Sequence, residues 1–232
     1  MFELRLAQDR GRSRYAWLDS RHSFSFADYV DPQRMGFSAL RVINDDVVAP
    51  GAGFATHGHR DMEIVSYVLQ GSIEHRDSMN HVSRLQAGEA QRMSAGSGVR
   101  HSEYNASADE PLRFLQIWIL PDRLGIPPSY EQRSVAGDGA TPNLALLASS
   151  DARDGSMRIQ QDADLYVGRL GAGESLEYPL AKGRRAYLHL VSGVLGIGDL
   201  VLTDGDALAV EQEPVIDVQA SEAAEFLLFD LP

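Results

Sequence analysis

The chain has 232 residues, which is enough for one large domain or two small ones. It contains 33 Asp and Glu residues but only 21 Lys and Arg residues, and the resulting charge of −12 argues against nucleic-acid binding through phosphate contacts. Cysteine is absent, which excludes disulfides, zinc ribbons, iron–sulfur clusters and thiol nucleophiles. Any metal must therefore be bound by histidine, carboxylate or water.

The sequence shows no segment that would place the chain in or across a membrane. No apolar run approaches the roughly 18 residues of a membrane-spanning helix. The first residues, Met1–Arg5, lack the basic start and apolar core of a signal peptide. We therefore expect a cytoplasmic protein without a membrane partner.

Short apolar or alternating segments follow one another along the chain, separated by turn formers that include 21 Gly and 10 Pro. Segments of roughly five to ten residues with such boundaries are typical of strands in β-sandwiches and barrels. The clearest are 37–48, 63–69, 112–120, 186–191, 207–210 and 224–231. Helical periodicity is nearly absent, and the candidates for a short helical turn are residues 20–29 and 128–133. The pattern predicts an all-β fold.

A small, Gly-containing segment, Ser134–Ala140, predicts a linker or surface loop. It divides the chain into residues 1–135 and 136–232. The two parts resemble each other weakly, for example where Tyr67–Gly71 is echoed by Leu188–Gly193. Such an echo arises either by coincidence between β sequences or from two similar barrels in tandem.

Two pairs of potential metal ligands stand out, His57 with His59 and His101 with Glu103. Residues two apart on a strand point to the same face, so each pair can converge on one ion. If the two strands pair, three imidazoles and one carboxylate surround a single point, and such a set suits a divalent first-row metal. The alternative is that all four residues are exposed polar groups in Gly-rich loops.

The other histidines have simpler interpretations. His75 and His81 flank a predicted turn at Asp77-Ser78, and we expect both to be exposed loop residues. His22 lies in an alternating aromatic segment, where packing is a better explanation than chemistry. We expect His189, in the second half, to have a structural role.

The surroundings of the candidate ligands resemble the two cupin motifs. Residues 51–71 match the first motif, including its His-x-His pair and Glu63, with one extra residue in the last gap. Residues 88–101 match the second motif, except that Ser94 replaces the usual proline and His101 comes two residues late. The chain therefore resembles a cupin with a modified second motif.

The modified motif and several longer segments resemble the pirin family, and most closely the bacterial pirin-like quercetin 2,3-dioxygenases. The segments that carry the resemblance extend over nearly the whole chain: Trp17–Phe26, Gly36–Asp46, His57–Arg60, Asp77–Met79, Met93–Val99, His101–Glu103, Tyr130–Arg133 and Asp151–Ser156. One departure is Asn80, where the family usually carries glycine. This difference affects a turn and not the ligands.

The resemblance implies a bicupin fold of two tandem, jelly-roll-like β-barrel domains, with a metal-binding cupin domain at 1–135 and a metal-free one at 136–232. The implied metal ligands are His57, His59, His101 and Glu103. In other cupins the first-motif glutamate is a ligand, whereas in pirins Glu103 takes that role and Glu63 becomes a pocket-wall or ligand-supporting group.

The sequence of the second half agrees with a single metal site. When the glycines of the two halves are aligned, the positions that correspond to the four ligands are Pro179, Ala181, Val218 and Ala220. None of these side chains can bind a metal ion. One divalent ion per chain is therefore expected.

The resemblance also implies an activity, that of a quercetin 2,3-dioxygenase-like oxidoreductase that opens a flavonol ring with O₂ and releases CO. Fe(II) is the expected cofactor, although the donor set also suits Zn, Mn, Co, Ni or Cu. Glu103 is the candidate catalytic base for the flavonol hydroxyl proton. The expected partners are a flavonol-like small molecule and O₂, and we expect a monomer.

Two alternatives come from other functional classes. Pirins also act as metal-bearing regulatory proteins through protein partners, and the charge of −12 is compatible with basic partners. A cupin isomerase or binding module would instead hold a sugar or small acid without O₂. Turnover of quercetin with and without O₂ distinguishes these alternatives from the dioxygenase.

Overall fold

The computed structural model describes residues 1–135 and 143–232. Apart from two 3-10 turns, Ala7–Asp9 and Arg153–Gly155, its regular elements are strands, so the all-β prediction is confirmed. The strands are β1 Phe2–Arg5, β2 Gly11–Arg14, β3 Leu18–His22, β4 Leu40–Val48, β5 Gly53–His59, β6 Glu63–Gln70, β7 Ser72–Asp77, β8 Val82–Gln86, β9 Glu89–Ser94, β10 Val99–Asn105, β11 Leu112–Ile119, β12 Ser129–Ser134, β13 Leu144–Ser149, β14 Met157–Arg158, β15 Asp164–Leu170, β16 Ser175–Pro179, β17 Arg185–Ser192, β18 Leu195–Ile197, β19 Leu200–Leu202, β20 Ala207–Glu211, β21 Val215–Ala220 and β22 Ala224–Leu231. Among the described residues, no helix has the length and apolar character needed to cross a membrane.

The predicted helical turns at 20–29 and 128–133 are wrong. Strand β3 runs to His22, and β12 occupies Ser129–Ser134 as an edge strand beside β9. Pairing with neighbouring strands decides the backbone conformation of residues 20–22 and 129–134, which local sequence patterns do not capture. Farther along the first segment, the chain makes a tight turn closed by the pairing of Phe26 with Tyr29. Of the predicted linker at 134–140, residues 136–140 lie outside the described residues.

The described residues divide into two compact units. The first unit contains residues 11–135 and 157–161, and the second contains residues 1–10, 143–156 and 162–232. Residues 1–10 lie in the second unit and not with the first half of the chain, because β1 pairs with β20 from Phe2 opposite Val210 to Arg5 opposite Ala207. The boundary at residues 135 and 136 stays a prediction.

The first unit consists of a seven-stranded sheet and a four-stranded sheet. The strand orders are β12-β9-β6-β11-β4-β3-β2 and β5-β10-β7-β8, and every pairing is antiparallel. The core cluster combines side chains of both sheets, such as Val68 and Phe114 from the larger sheet and Ile73 and Leu85 from the smaller one. Two sheets packed through their inner faces form the barrel that a cupin requires.

The second unit repeats this plan with an apolar interior. Its larger sheet contains β1-β20-β17-β22-β15-β13 and its smaller sheet is β16-β21-β18-β19. Strand β21 alternates between exposed and buried positions, and Ile216, Val218 and Ala220 point inward. The period-2 pattern of this strand therefore fills the barrel with aliphatic groups.

Glycine at position 53 permits the close approach of β5 to β10. A Cβ atom there would lie 2.3 Å from the carbonyl oxygen of Glu103 and 2.5 Å from the Cα atom of Tyr104. Both contacts are with backbone atoms of the paired strand, which cannot move away without separating β5 from β10.

We predict that Gly53→Ala lowers the free energy of unfolding by about 1–3 kcal/mol, the usual cost of overpacking. Gly58→Ala on the same strand is the matched control, because a Cβ atom there would meet its nearest neighbour at 3.7 Å. Its cost should stay within about 0.5 kcal/mol. Urea denaturation of both variants is the measurement, and equal effects would show that the close approach at Gly53 is not a constraint.

Candidate metal centre

Strands β5 and β10 bring the predicted histidines together. The two strands are antiparallel, and the register places His101 directly opposite His57 and Val99 opposite His59. The register shifts between His101 and Glu103, so a local irregularity in β10 separates the imidazole from the carboxylate. His57 and His59 are half-buried, whereas His101 is only 1% exposed.

The Nε2 atoms of the three histidines converge. The Nε2 atom of His101 lies 3.0 Å from that of His59 and 3.1 Å from that of His57. The Nδ1 atom of His57 lies 2.8 Å from the carbonyl oxygen of Ala55, which can only accept, so the proton of this imidazole is on Nδ1. The lone pair of His57 Nε2 therefore points at the other two rings.

Burial keeps two of these imidazoles neutral. Burial, reinforced by His101 and His57, lowers the pKa of His59 to about 4. Burial is also the largest cause that lowers the pKa of His101 to about 4, and it outweighs the opposite effect of Glu103. Neutral imidazole is the form that binds metal ions, so His59 and His101 can coordinate a cation at neutral pH.

The donor set fits a metal ion. Adjacent ligands with metal–nitrogen bonds of about 2.0–2.1 Å lie about 3 Å apart, which agrees with the two Nε2 separations of 3.0 and 3.1 Å. Lone pairs that converge in this way repel each other unless a proton or a cation lies between them. The three histidines are therefore suited to hold one divalent ion.

Glu103 is buried, and its carboxylate accepts hydrogen bonds from three side chains of the opposite sheet. Ser66 Oγ and Gln91 Nε2 each donate to Oε1 at 2.7 Å, and Gln116 Nε2 donates to Oε2 at 2.7 Å. Burial alone would raise the pKa of Glu103, but His101 and the hydrogen bonds outweigh burial and lower it. Glu103 is therefore an anion at neutral pH.

The three donors belong to a polar row that crosses the seven-stranded sheet. The register places its members side by side on five neighbouring strands, and all of them are buried: His22, Asn44, Gln116, Ser66 and Gln91. Within the row, Ser66 Oγ accepts from Gln91 Nε2 at 3.2 Å and lies 3.1 Å from Gln116 Oε1. Paired positions of an antiparallel sheet share a face, so the row directs polar groups to the barrel interior.

Sequence reasoning missed Ser66, Gln91 and Gln116. The available signal was a polar residue at an inward position of an otherwise apolar strand, as in the Ile-Val-Ser-Tyr-Val run of β6 and the Phe-Leu-Gln-Ile-Trp run of β11. A buried polar group of this kind must have a partner.

The potential ligands form two groups that share His101. His57, His59 and His101 make the first group, and His75, His101 and Glu103 make the second. Within each group, one ligand atom of every residue lies within 4.8 Å of the others. Glu103 is therefore beside His101, but at this spacing it does not join all three imidazoles. The fourfold ligand set stays a prediction.

The expectation that His75 is an exposed loop residue is wrong. Strand β7 continues to Asp77, so His75 lies inside the strand and is fully buried. Its ring stacks on Tyr130 with centroids 4.8 Å apart, and its Nε2 atom lies 3.3 Å from Asp77 Oδ2. His81 lies beyond the turn and its side chain is 42% exposed, as expected.

The other residues considered in the sequence, Glu63, His22 and His189, lie outside the histidine cluster. Glu63 is buried and accepts a hydrogen bond from Ser94 Oγ at 2.7 Å, and it belongs to neither ligand group. His22 belongs to the polar row, and its Nδ1 atom lies 2.7 Å from the Oδ1 atom of Asn44. His189 is buried in β17 of the second unit.

A cavity of about 190 Å³ opens beside the histidines. Aromatic, polar and ligand residues form its wall: Ser13, Tyr15, Trp17, Leu18, Ser20, His22, Phe26, Ala27, Asn44, Asp46, Phe54, His57, His59, Glu103, Gln116 and Trp118. Trp118 packs edge-to-face against His59 with ring centroids 5.0 Å apart. A larger cavity of about 600 Å³ in the second unit has no histidine in its wall. The smaller cavity is therefore the one in which a ligand can reach the histidine cluster.

Asp46 lines this cavity from β4 and is only 3% exposed. Its Oδ1 atom has no hydrogen-bond partner among the described residues. Burial raises the pKa of Asp46 to about 7, and Asp45 and Glu103 contribute in the same direction, whereas a hydrogen bond with Ser20 opposes them. Asp46 is therefore a carboxyl group that remains partly protonated near neutral pH.

Comparison with known proteins identifies relatives of the whole chain. The pirin family model matches residues 3–119, and the model of the quercetinase C-terminal cupin domain matches residues 146–231. The quercetin 2,3-dioxygenase of Escherichia coli (strain K12) is 49% identical over 232 residues, covering 100% of this chain and 99% of the relative. A pirin-like protein of Caulobacter vibrioides is 41% identical over 221 residues, or 95% of each chain.

The structural comparison agrees with the sequence comparison. The crystal structure of the bacterial pirin YhhW from Escherichia coli in complex with nickel(II) is similar to this chain with a TM-score of 0.96 and 49% identity. The similarity covers 100% of this chain and 99% of the other. The predicted bicupin architecture is confirmed.

The raised pKa of Asp46 predicts a pH-dependent stability. Below pH 3.8, the ordinary value, the carboxyl is protonated in both the folded and unfolded states, so burial of its charge costs nothing. As the pH rises towards about 7 the unfolded state loses its proton first, and the folded state loses up to about 4 kcal/mol of relative stability.

We therefore expect Asp46→Asn to gain stability over the wild type between pH 4 and pH 7.5, measured by urea denaturation of chelator-treated protein. Asp45→Asn is the control, because it removes the charge and one of the two hydrogen bonds that Arg113 donates to Asp45 at 2.9 Å, and it should destabilise the protein. A difference between Asp46→Asn and wild type that is constant with pH would contradict the assignment.

Proposed function

The chain belongs to the pirin family, and from this membership we propose that it is a metal-dependent dioxygenase that opens a flavonol ring with O₂ and releases CO. One observation carries the proposal: the Nε2 atom of His101 lies 3.0 Å from that of His59 and 3.1 Å from that of His57, beside an aromatic-lined cavity. The name of the Escherichia coli relative, quercetin 2,3-dioxygenase, supports the reaction class.

We propose that His57, His59, His101 and Glu103 hold one divalent ion, with Fe(II) as the native metal. The nickel(II) complex of the Escherichia coli pirin supports a divalent first-row ion. When bound, such an ion supplies open coordination positions and a net charge of about +1 that favours an anionic oxygen donor. An enol beside a ketone, as in flavonols, is a donor of this kind.

The cavity walls are suited to a planar aromatic ligand. Trp17, Phe54 and Trp118 line it, and Trp17 packs edge-to-face on Phe54 with ring centroids 5.1 Å apart. Rigid aromatic walls bind flat rings with little loss of side-chain entropy. The volume of about 190 Å³ is below the range of about 300–1,000 Å³ for typical ligand pockets, so part of a flavonol would extend through the mouth.

Glu103 can accept the proton of the flavonol hydroxyl group. Its Oε1 atom accepts two hydrogen bonds and its Oε2 atom accepts one, from Gln116, so Oε2 retains one lone pair. That lone pair cannot bind the ion and accept the proton at once, so Glu103 would release the ion as it takes the proton. The lowered pKa keeps Glu103 ionised, as a general base requires. The hydrogen bonds from Ser66 and Gln91 fix the orientation of the carboxylate while the proton transfers.

Cytoplasmic location, the monomeric state and the division into domains at 1–135 and 136–232 stay predictions. None of them enters the assignment of the reaction.

We predict that the Fe(II)-loaded protein consumes quercetin only when O₂ is present, and that it releases CO in proportion. The measurement follows the flavonol absorbance and the evolved CO with and without O₂. If no metal that is tested supports O₂-dependent turnover, the dioxygenase proposal fails and a regulatory role through protein partners is favoured.

Three variants separate metal binding from proton transfer. His57→Ala and His59→Ala should each lose both the bound metal and turnover, because each removes a nitrogen of the cluster. Glu103→Gln keeps the shape of the side chain but cannot accept the proton, so its turnover should fall by about 10²-fold or more. A Glu103→Gln protein that retains metal and rate would eliminate the proposed base.

A further inference from the structure

Strand β4 presents two polar side chains to the cavity. Asn44 and Asp46 are two residues apart, so they share the inward face of the strand, and both line the cavity. The Oδ1 atom of Asn44 lies 2.7 Å from Nδ1 of His22. Asp46 differs, because its Oδ1 atom has no partner among the described residues.

Asp46 lines the cavity, and one of its carboxyl oxygens is buried without a hydrogen-bond partner among the described residues, which requires an explanation. Native proteins leave few buried polar atoms without a hydrogen bond, and those that remain are often partners of a ligand or water. Asp46 lines the same cavity as His57, His59 and Glu103, so one ligand in the cavity can contact Asp46 as well as the histidine cluster.

The charges around Asp46 restrict the chemistry of its partner. Of the described residues that line the cavity, none is Lys or Arg, and Glu103 is a second carboxyl group in the wall. The adjacent Asp45 forms an ion pair with Arg113. A carboxylate or phosphate of a ligand would be repelled from this wall, whereas a hydroxyl group can donate to the carboxylate or accept from the carboxylic acid.

We propose that Asp46 is a specificity-determining residue that forms a hydrogen bond with a hydroxyl group of the substrate, remote from the oxygen held at the histidine cluster. The substrate class is then a polyhydroxylated aromatic molecule and not a bare aromatic enol. This inference rests on the proposed flavonol-binding function of the cavity. It extends that function by assigning a residue to the discrimination between flavonols.

The intrinsic tryptophan fluorescence of the chain can report ligand binding in the cavity. Both of its tryptophans, Trp17 and Trp118, line the cavity, so quenching of intrinsic fluorescence reports binding there. The probes are quercetin and 3-hydroxyflavone, which share the enol and ketone, although 3-hydroxyflavone lacks the further ring hydroxyl groups. Titration of the metal-loaded protein without O₂ measures binding separately from turnover.

We expect Asp46→Leu to weaken quercetin binding about tenfold more than it weakens 3-hydroxyflavone binding, because only quercetin loses a hydrogen bond. Asp46→Asn retains an acceptor and a donor, so its preference for quercetin should stay within about threefold of the wild type. Metal content and the unfolding midpoint of each variant establish that the site is intact.

The role of Asp46 is overturned if Asp46→Leu weakens the binding of quercetin and of 3-hydroxyflavone equally. It is also overturned if a well-folded Asp46→Asn loses the preference for quercetin completely. Neither result contradicts the proposed flavonol function. If the wild type binds neither probe, the flavonol function itself fails, and the inference fails with it. The wild-type titration therefore distinguishes the two failures.

Discussion

The candidate metal centre of the first unit depends on the hydrogen bonds that stabilise the buried negative charge of Glu103. Glu103 projects from the four-stranded sheet into the barrel, where removal of a carboxylate from water is costly unless hydrogen bonds replace the solvent. Ser66, Gln91 and Gln116 supply those hydrogen bonds from the opposite sheet at 2.7 Å. The same contacts that make the charge tolerable also fix the carboxylate beside His101, so the stability of the barrel and the geometry of the site share one set of side chains.

The second unit shows a similar barrel in which the position equivalent to Glu103 carries no charge. Its core cluster contains residues such as Leu188, Leu208, Val218 and Phe226, and Ala220 occupies the inward position that the sequence alignment matches to Glu103. An interior of aliphatic side chains needs no polar row to satisfy it. The fold therefore forms with either interior, and the function that we propose rests on the few inward positions of the first unit that carry polar groups.

Much of the fold was predictable, because period-2 hydrophobicity and turn residues act locally. Spacing alone also placed His57 and His59 on one face of a strand. The contacts of Glu103 were not predictable, since Ser66 and Gln116 become neighbours only through strand register, 50 positions apart in the chain. His75 was misplaced for a related reason, because the turn begins only after Asp77 and leaves the histidine inside a buried strand.

The central claim is that one metal ion lies at the convergence of His57, His59 and His101, beside Glu103. Anomalous scattering from crystals of the metal-loaded protein, collected on both sides of the metal absorption edge, locates the ion directly. The account predicts a single peak per chain, in contact with the three Nε2 atoms and with a Glu103 oxygen. A peak between His75, His101 and Glu103 without His57 and His59, or a peak in the second unit, would contradict it.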